Sequence, residues 1–149
     1  MRSFLLFCGL LLCVGIAVSS AQQKETKADT GSPPIPPEDA AKKNPVTLTP
    51  EGLGSAKKLY GYHCAMCHGE KGDGKGDLAV QMKLDLHDWR DSATLTKFTD
   101  GELFYIITNG RGKMTGGEGD RTKEEVRWNL VSVVRSFAPK KSPTETAKP

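Results

Sequence analysis

Cys64-Ala65-Met66-Cys67-His68 sets two cysteines three positions apart, with a histidine directly after the second. Residues i, i+3 and i+4 share one face of a helix. Cys64, Cys67 and His68 can therefore present two sulfurs and one imidazole to the same flat ligand. This is the pattern of a c-type haem attachment site. The thiols can form thioethers with the two haem vinyl groups, and the imidazole can reach the iron as proximal ligand. A zinc site would need four ligands, and past residue 21 the chain offers two cysteines and three histidines, with no second pair at zinc spacing. A redox disulfide would want a βαβ setting, and no strand pattern surrounds the motif.

Residues 1–21 read as a secretory signal peptide. Met1-Arg2 is a short positive start, Phe4 to Val18 is apolar and uncharged, and Ser19-Ser20-Ala21 supplies small residues for cleavage. The apolar run is short for a membrane span, so no membrane insertion is expected after cleavage. Cys8 and Cys13 lie in this run and leave with it, so Cys64 and Cys67 are the cysteines of the mature chain. The expected location is the periplasm or the exterior, where covalent haem attachment takes place.

Residues 22–46 read as a disordered linker, rich in proline through Pro33-Pro34-Ile35-Pro36-Pro37 and poor in apolar side chains. Residues 140–149 form a similar polar tail. The folded domain is expected over residues 47–139. At about 90 residues, such a domain has a small core of its own, and a buried haem would enlarge it.

Three main helices are expected, in an all-α domain. Thr49-Pro50-Glu51 starts the first, with Thr49 as N-cap and Pro50 in the first turn. Leu53, Ala56, Leu59, Tyr60 and His63 continue at helical spacing and lead into the motif, which is expected on the last turns of this helix. His63 points about 100° away from Cys64 around the helix and reads as an edge histidine. The second helix begins at Thr99, in a capping box with Glu102, and stops at Asn109-Gly110. The third is expected from Thr122, in a capping box with Glu125, through Val126, Leu130, Val133, Val134 and Phe137, and ends at Pro139. A shorter helix is expected over 78–86, from Leu78, Met82 and Leu86. Trp89 is a candidate to pack on the haem edge or to donate to a propionate.

Gly69 to Gly76 nearly matches a phosphate loop, but Gly76 stands where a magnesium-binding Ser or Thr belongs, and a helix rather than a strand precedes it. The stretch reads as a tight turn against the haem. Asn109 to Gly117 is a glycine-rich loop with one large apolar side chain, Met114. A thioether completing the iron coordination opposite His68 gives it a reason to be there. Met82 and His87 are the other candidates, and Met66, between the cysteines, cannot reach across the ring.

With these residues in view the chain resembles the class I, single-haem c-type cytochromes of bacterial respiratory chains. The resemblance rests on Leu59-Tyr60, the motif with Gly69, Gly72-Asp73-Gly74-Lys75-Gly76, Asn109-Gly110 before Met114, and Trp128-Asn129-Leu130-Val131 with Val134-Arg135-Ser136. It implies an all-α cytochrome c fold around one covalent haem c. Cys64 and Cys67 are then the attachments, His68 the proximal and Met114 the distal iron ligand. The terminal helices cross with the haem held between them. Asp77-Leu78 occupies the stretch where the family often places a proline whose carbonyl holds the proximal histidine, so the partner of the His68 ring N–H is left unassigned.

The implied activity is one-electron transfer between a redox donor and acceptor, by a monomer that is a carrier rather than an enzyme. Two alternatives use the same motif: a gas-binding or peroxide-reactive haem protein, if the distal site is open, and a cytochrome subunit of a dehydrogenase or oxidase complex. The full chain carries a formal charge of +3, whereas residues 51–139 hold thirteen basic and thirteen acidic side chains. That balance gives no support for nucleic-acid binding. Lys71, Lys75, Arg111 and Lys113 flank the two loops expected at the haem edge and are candidates to steer an acidic partner.

Overall fold

The structure, a computed structural model, describes residues 32–139. The expected signal segment 1–21, with Cys8 and Cys13, the linker residues 22–31 and the tail 140–149 lie outside the described residues.

The helix expected after Thr49 is α2, Pro50–His63, following the single turn α1, Pro37–Ala40. Thr49 caps α2 by accepting from the Gly52 amide, and Pro50 opens it. The motif follows α2 rather than sitting on it: Cys64 is the pivot, and α3, Ala65–His68, is a turn of its own. Helical hydrogen bonding nearly bridges the break, because Cys64 N–H donates to Tyr60 C=O and His68 N–H to Cys64 C=O. Next come α4, Asp77–Gln81, and α5, Ser92–Leu95. The helix expected over 78–86 is therefore shorter, ending where Lys83 takes a left-handed φ of 51°. The second main helix is α6, Asp100–Asn109, opened by the Thr99–Glu102 capping box and closed at Gly110 with φ 79°. A small antiparallel ribbon of β1, Gly110–Arg111, and β2, Met114–Thr115, follows, with Arg111 opposite Met114. Then come α7, Glu118–Arg121, and the last main helix, α8, Glu124–Phe137.

The cap of α8 differs from expectation. Lys123 takes the N-cap position without a side-chain bond. Thr122 instead turns its hydroxyl back to donate to the Glu118 carbonyl at 2.9 Å, closing α7. Local sequence offers Thr122 both uses, and the end of the preceding helix claims it.

α2 packs on α8. Gly52 permits the approach: a Cβ there would stand 3.0 Å from the Asn129 side-chain nitrogen, while one at Gly54 would meet nothing within 4 Å. Ala56, Tyr60, Leu130 and Val133 form the buried cluster at this contact. A second cluster joins Trp89, Leu95, Leu103, Phe104, Trp128, Val131 and Val134. Phe104 and Trp128 stack there at 4.0 Å between ring centroids. Arg135 ties α8 to the segment before α6, donating to Asp100 Oδ1 at 2.8 Å, Leu95 C=O at 2.9 Å and Phe98 C=O at 2.7 Å.

The largest departure is at the front. Residues 32–46 were expected as part of a disordered linker, yet this stretch docks on the domain. α1 lies on α6, where Gly101 is buried against the Asp39 and Ala40 carbonyls and has no room for a Cβ. The Thr99 hydroxyl donates to Ala40 C=O at 2.6 Å, and the Asn44 side-chain amide donates to Trp128 C=O at 3.1 Å. Prolines that read as an extended spacer also lower the entropy lost on docking, which is why a stretch with few apolar side chains is held here.

Two outcomes follow from these contacts. Gly101→Ala pushes α1 off α6 and opens the Lys42-Lys43 region to trypsin, read by limited proteolysis. Arg135→Ala strips three acceptors of their donor and lowers stability by about 2 kcal/mol, read by thermal or denaturant unfolding.

Candidate functional site

Between the two buried clusters lies an apolar cavity. Its walls come from α2 (Tyr60), the motif (Cys64, His68), Trp89, α6 (Leu103, Ile106, Ile107), β2 (Met114) and α8 (Leu130, Val134). The lining has the usual character of a cofactor site, mostly apolar with a few placed heteroatoms.

Those heteroatoms are the imidazole of His68, the thiol of Cys64 and the thioether of Met114. α3 places His68 by bending back after Cys64, and the glycine loop locks the turn. Gly74 N–H donates to His68 C=O at 2.8 Å and Gly76 N–H to Cys67 C=O at 3.1 Å. Gly76 must be glycine, because a Cβ would strike the Ala65 and Met66 carbonyls. With its amides committed to α3 in this way, the loop is a brace for the motif and not a phosphate cradle. The Tyr60 hydroxyl adds a further tie, donating to Gly69 C=O at 2.9 Å. Burial first, then the charges of Cys64 and Asp73, raises the Tyr60 pKa, so it stays a donor.

Burial, followed by the nearby His87, lowers the His68 pKa below the ordinary 6.5. The ring is therefore neutral near pH 7, the form that can bind a metal. Its Nδ1 is buried and has no partner among the described residues. Cys64 is pushed up to about 12 by burial, then by the charges of Glu118 and Cys67. It is held as a thiol, and among the described residues neither Cys64 nor Cys67 is in a disulfide.

Met114 is brought to the cavity by the β1–β2 ribbon, where a bare loop was expected. Gly112, with φ 57°, stands at the first central position of the turn, as a tight hairpin needs. The other candidates are elsewhere. Met82 and Met66 are more than half exposed and do not line the cavity. His87 packs against Trp89 and Phe98, with ring centroids 5.4 Å apart in each case, and is also off the lining. Trp89 does line it, 6.4 Å from the His68 ring between centroids. Cys67 is part-buried beside the motif but not on the cavity wall.

The donor set suits haem c: an apolar slot for the ring, a neutral imidazole, a soft thioether and two reduced thiols at CxxCH spacing. Residues 52–132 match the family described as cytochrome c oxidase, cbb3-type, subunit III. The chain belongs to this family of c-type cytochromes. It has the all-α cytochrome c fold, and the family implies covalently bound haem c and haem-based electron transfer. It is similar to the solved structure of KustC0563 c-type cytochrome, at 27% identity and a TM-score of 0.50, over 56% of this chain and 98% of that one. Among curated proteins none matches.

Sequence reasoning missed two features around this cytochrome's cavity. His63, read as an edge histidine, lies with Nδ1 2.8 Å from Glu118 Oε1. Arg127 holds the carbonyls of Glu118, Gly119 and Thr122 with one guanidinium nitrogen. Neither pairing has a local signal, because each joins separate elements.

The lowered His68 pKa has a definite pH consequence. The unfolded ring takes up a proton near 6.5 while the folded one resists it until lower pH, so this group's contribution is complete above 6.5. Stability of the haem-free chain is expected to fall as the pH drops from 6.5 through the lowered folded value, as measured by denaturant unfolding across that range.

Proposed function

We propose that this cytochrome is an exported, single-haem carrier that passes one electron between redox partners. The observation carrying the reading is the apolar cavity that has the His68 imidazole and the Met114 thioether on its wall, with Cys64 at the same site. When bound, haem supplies an iron centre that gains and loses one electron. Cys64 and Cys67 are the covalent attachments, His68 the proximal ligand and Met114 the distal ligand. With His68 and Met114 both holding the iron, no place would be open for a substrate, which favours transfer over bond chemistry. A thioether stabilises the reduced state relative to a second imidazole, and the apolar wall acts in the same direction by disfavouring added positive charge.

Residues 1–21 support export, to the periplasm or beyond. Among the described residues no helix is long and apolar enough to cross a membrane. Lys71, Lys75 and Lys113 are exposed, and Arg111 is part-buried, on the two loops beside the motif and Met114. They favour an acidic partner, approached by electrostatic steering. The family description names an oxidase subunit, which favours a second reading in which the same domain serves as the cytochrome subunit of an oxidase complex. Co-purification with a large haem-containing partner separates that reading from a free carrier.

The absorption spectrum of the ferric protein tests the ligand set. The weak far-red sulfur-to-iron band is expected in the wild type and absent in Met114→Ala, with haem retained in both. Haem without the band in the wild type would leave the distal site open and turn the assignment toward gas binding or peroxide chemistry.

A further inference from the structure

We propose that His63 and Glu118 form a clasp that holds the Met114 ribbon against the cavity and so makes them positioning residues for the distal ligand. The proposal rests on Met114 being that ligand.

The two residues come from the segments that carry the attachment motif and Met114. His63 is the last residue of α2, immediately before Cys64. Glu118 opens α7, four positions after Met114. Between Met114 and Glu118 lie Thr115, Gly116 and Gly117, a short joint in which Gly116 packs against the Asn109 and Gly110 backbone. On the other side of that joint Glu118 is held firmly. Its backbone carbonyl accepts from the Thr122 hydroxyl at 2.9 Å and from Arg127 Nη1 at 3.4 Å. Its side chain is 11% exposed and reaches His63 Nδ1 at 2.8 Å. Arg121 lies farther off, at 3.8 Å from the same oxygen.

A carboxylate is costly to bury. Glu118 Oε2 is buried with no partner among the described residues, so the side chain is only half satisfied where it sits. A surface ion pair would have avoided that cost. What the buried position secures is a bond from the segment bearing Met114 to the residue beside the attachment cysteine.

For Met114 to withdraw from the cavity, the ribbon must shift together with the segment that leads into α7. With α6 fixed before the ribbon and Glu118 clasped after it, both ends of the moving segment are pinned. Breaking the clasp removes the side-chain part of that hold at one end, while Thr122 and Arg127 still hold the backbone. The opening rate of the distal site is then set by this pair, though neither residue touches the iron.

The test is stopped-flow binding of imidazole to the ferric haem-loaded protein, where the rate at saturating imidazole reports departure of Met114. His63→Ala and Glu118→Ala are expected to open about tenfold faster than wild type, and the double variant no faster than either single one, since they remove one shared interaction. Glu118→Gln keeps an acceptor oxygen for the His63 N–H and is expected near the wild-type rate. All four keep the far-red band. Arg135→Ala serves as the control, losing global stability without a change in opening rate. His63 is one-third exposed, so His63→Ala carries the test even where Glu118→Ala fails to fold. Wild-type opening rates in both single variants, or additive rates in the double variant, overturn the clasp. Met114→Ala separates the two readings: if it keeps the band, the ligand assignment has failed; if it loses the band while the clasp variants open at the wild-type rate, the clasp alone has failed.

Discussion

The packing of α2 on α8 is the contact on which the rest of the structure depends. Gly52 lets the helices approach, Ala56 is fully buried at the contact, and Leu130 and Val133 close it from the other side. The next turns of α2 then carry Tyr60 and Cys64 to the edge of the cavity, while the face of α8 through Leu130 and Val134 supplies its far wall. A looser contact would separate the motif from its wall. Helix packing and cofactor binding are thus one problem in this chain, because the same two helices supply part of the core and part of the slot.

The slot divides the core. One buried cluster belongs to the α2–α8 contact and the other to Trp89, α6 and the opposite side of α8. Ile107 and Phe137 pack against both. A domain of this size has limited apolar area to bury, and a large flat group between its clusters would add to it. The polar ties lie at the rim: Arg135 before α6, Arg127 after α7 and Tyr60 across to the glycine loop. Each ends on backbone carbonyls at helix ends or in loops, several of which accept a second bond from a nearby amide. Loops can surround an apolar cavity only if their carbonyls find donors in this way.

Much of the site was legible in local sequence, because its chemistry is written at short spacing. CxxCH needs five consecutive residues, and the capping box at Thr99–Glu102 and the cap at Thr49 need four each. Met114 stood out as one apolar side chain in a polar, glycine-rich stretch. The failures have a common cause. Thr122 carried a valid capping pattern, but the end of α7 claimed its hydroxyl. Residues 32–46 lacked apolar content, yet Gly101 and Thr99 on a distant helix gave α1 a seat. The ribbon at 110–115 is too short for an alternating pattern, so it read as a loop. His63 looked like an edge residue because its partner lies 55 positions away.

The sequence by itself determined the chemistry: two thiols and an imidazole within five residues, helices set by caps and apolar periodicity, and a lone methionine beyond the second main helix. These are short-range properties, fixed by backbone geometry and side-chain type. Only the tertiary structure decided that Met114, rather than Met82 or His87, shares a cavity with His68. It alone decided that His63 meets Glu118, and that the segment before α2 belongs to the folded body. Those outcomes depend on which surfaces meet once α2 and α8 pack, and contacts between distant segments leave no period or spacing in the chain to read.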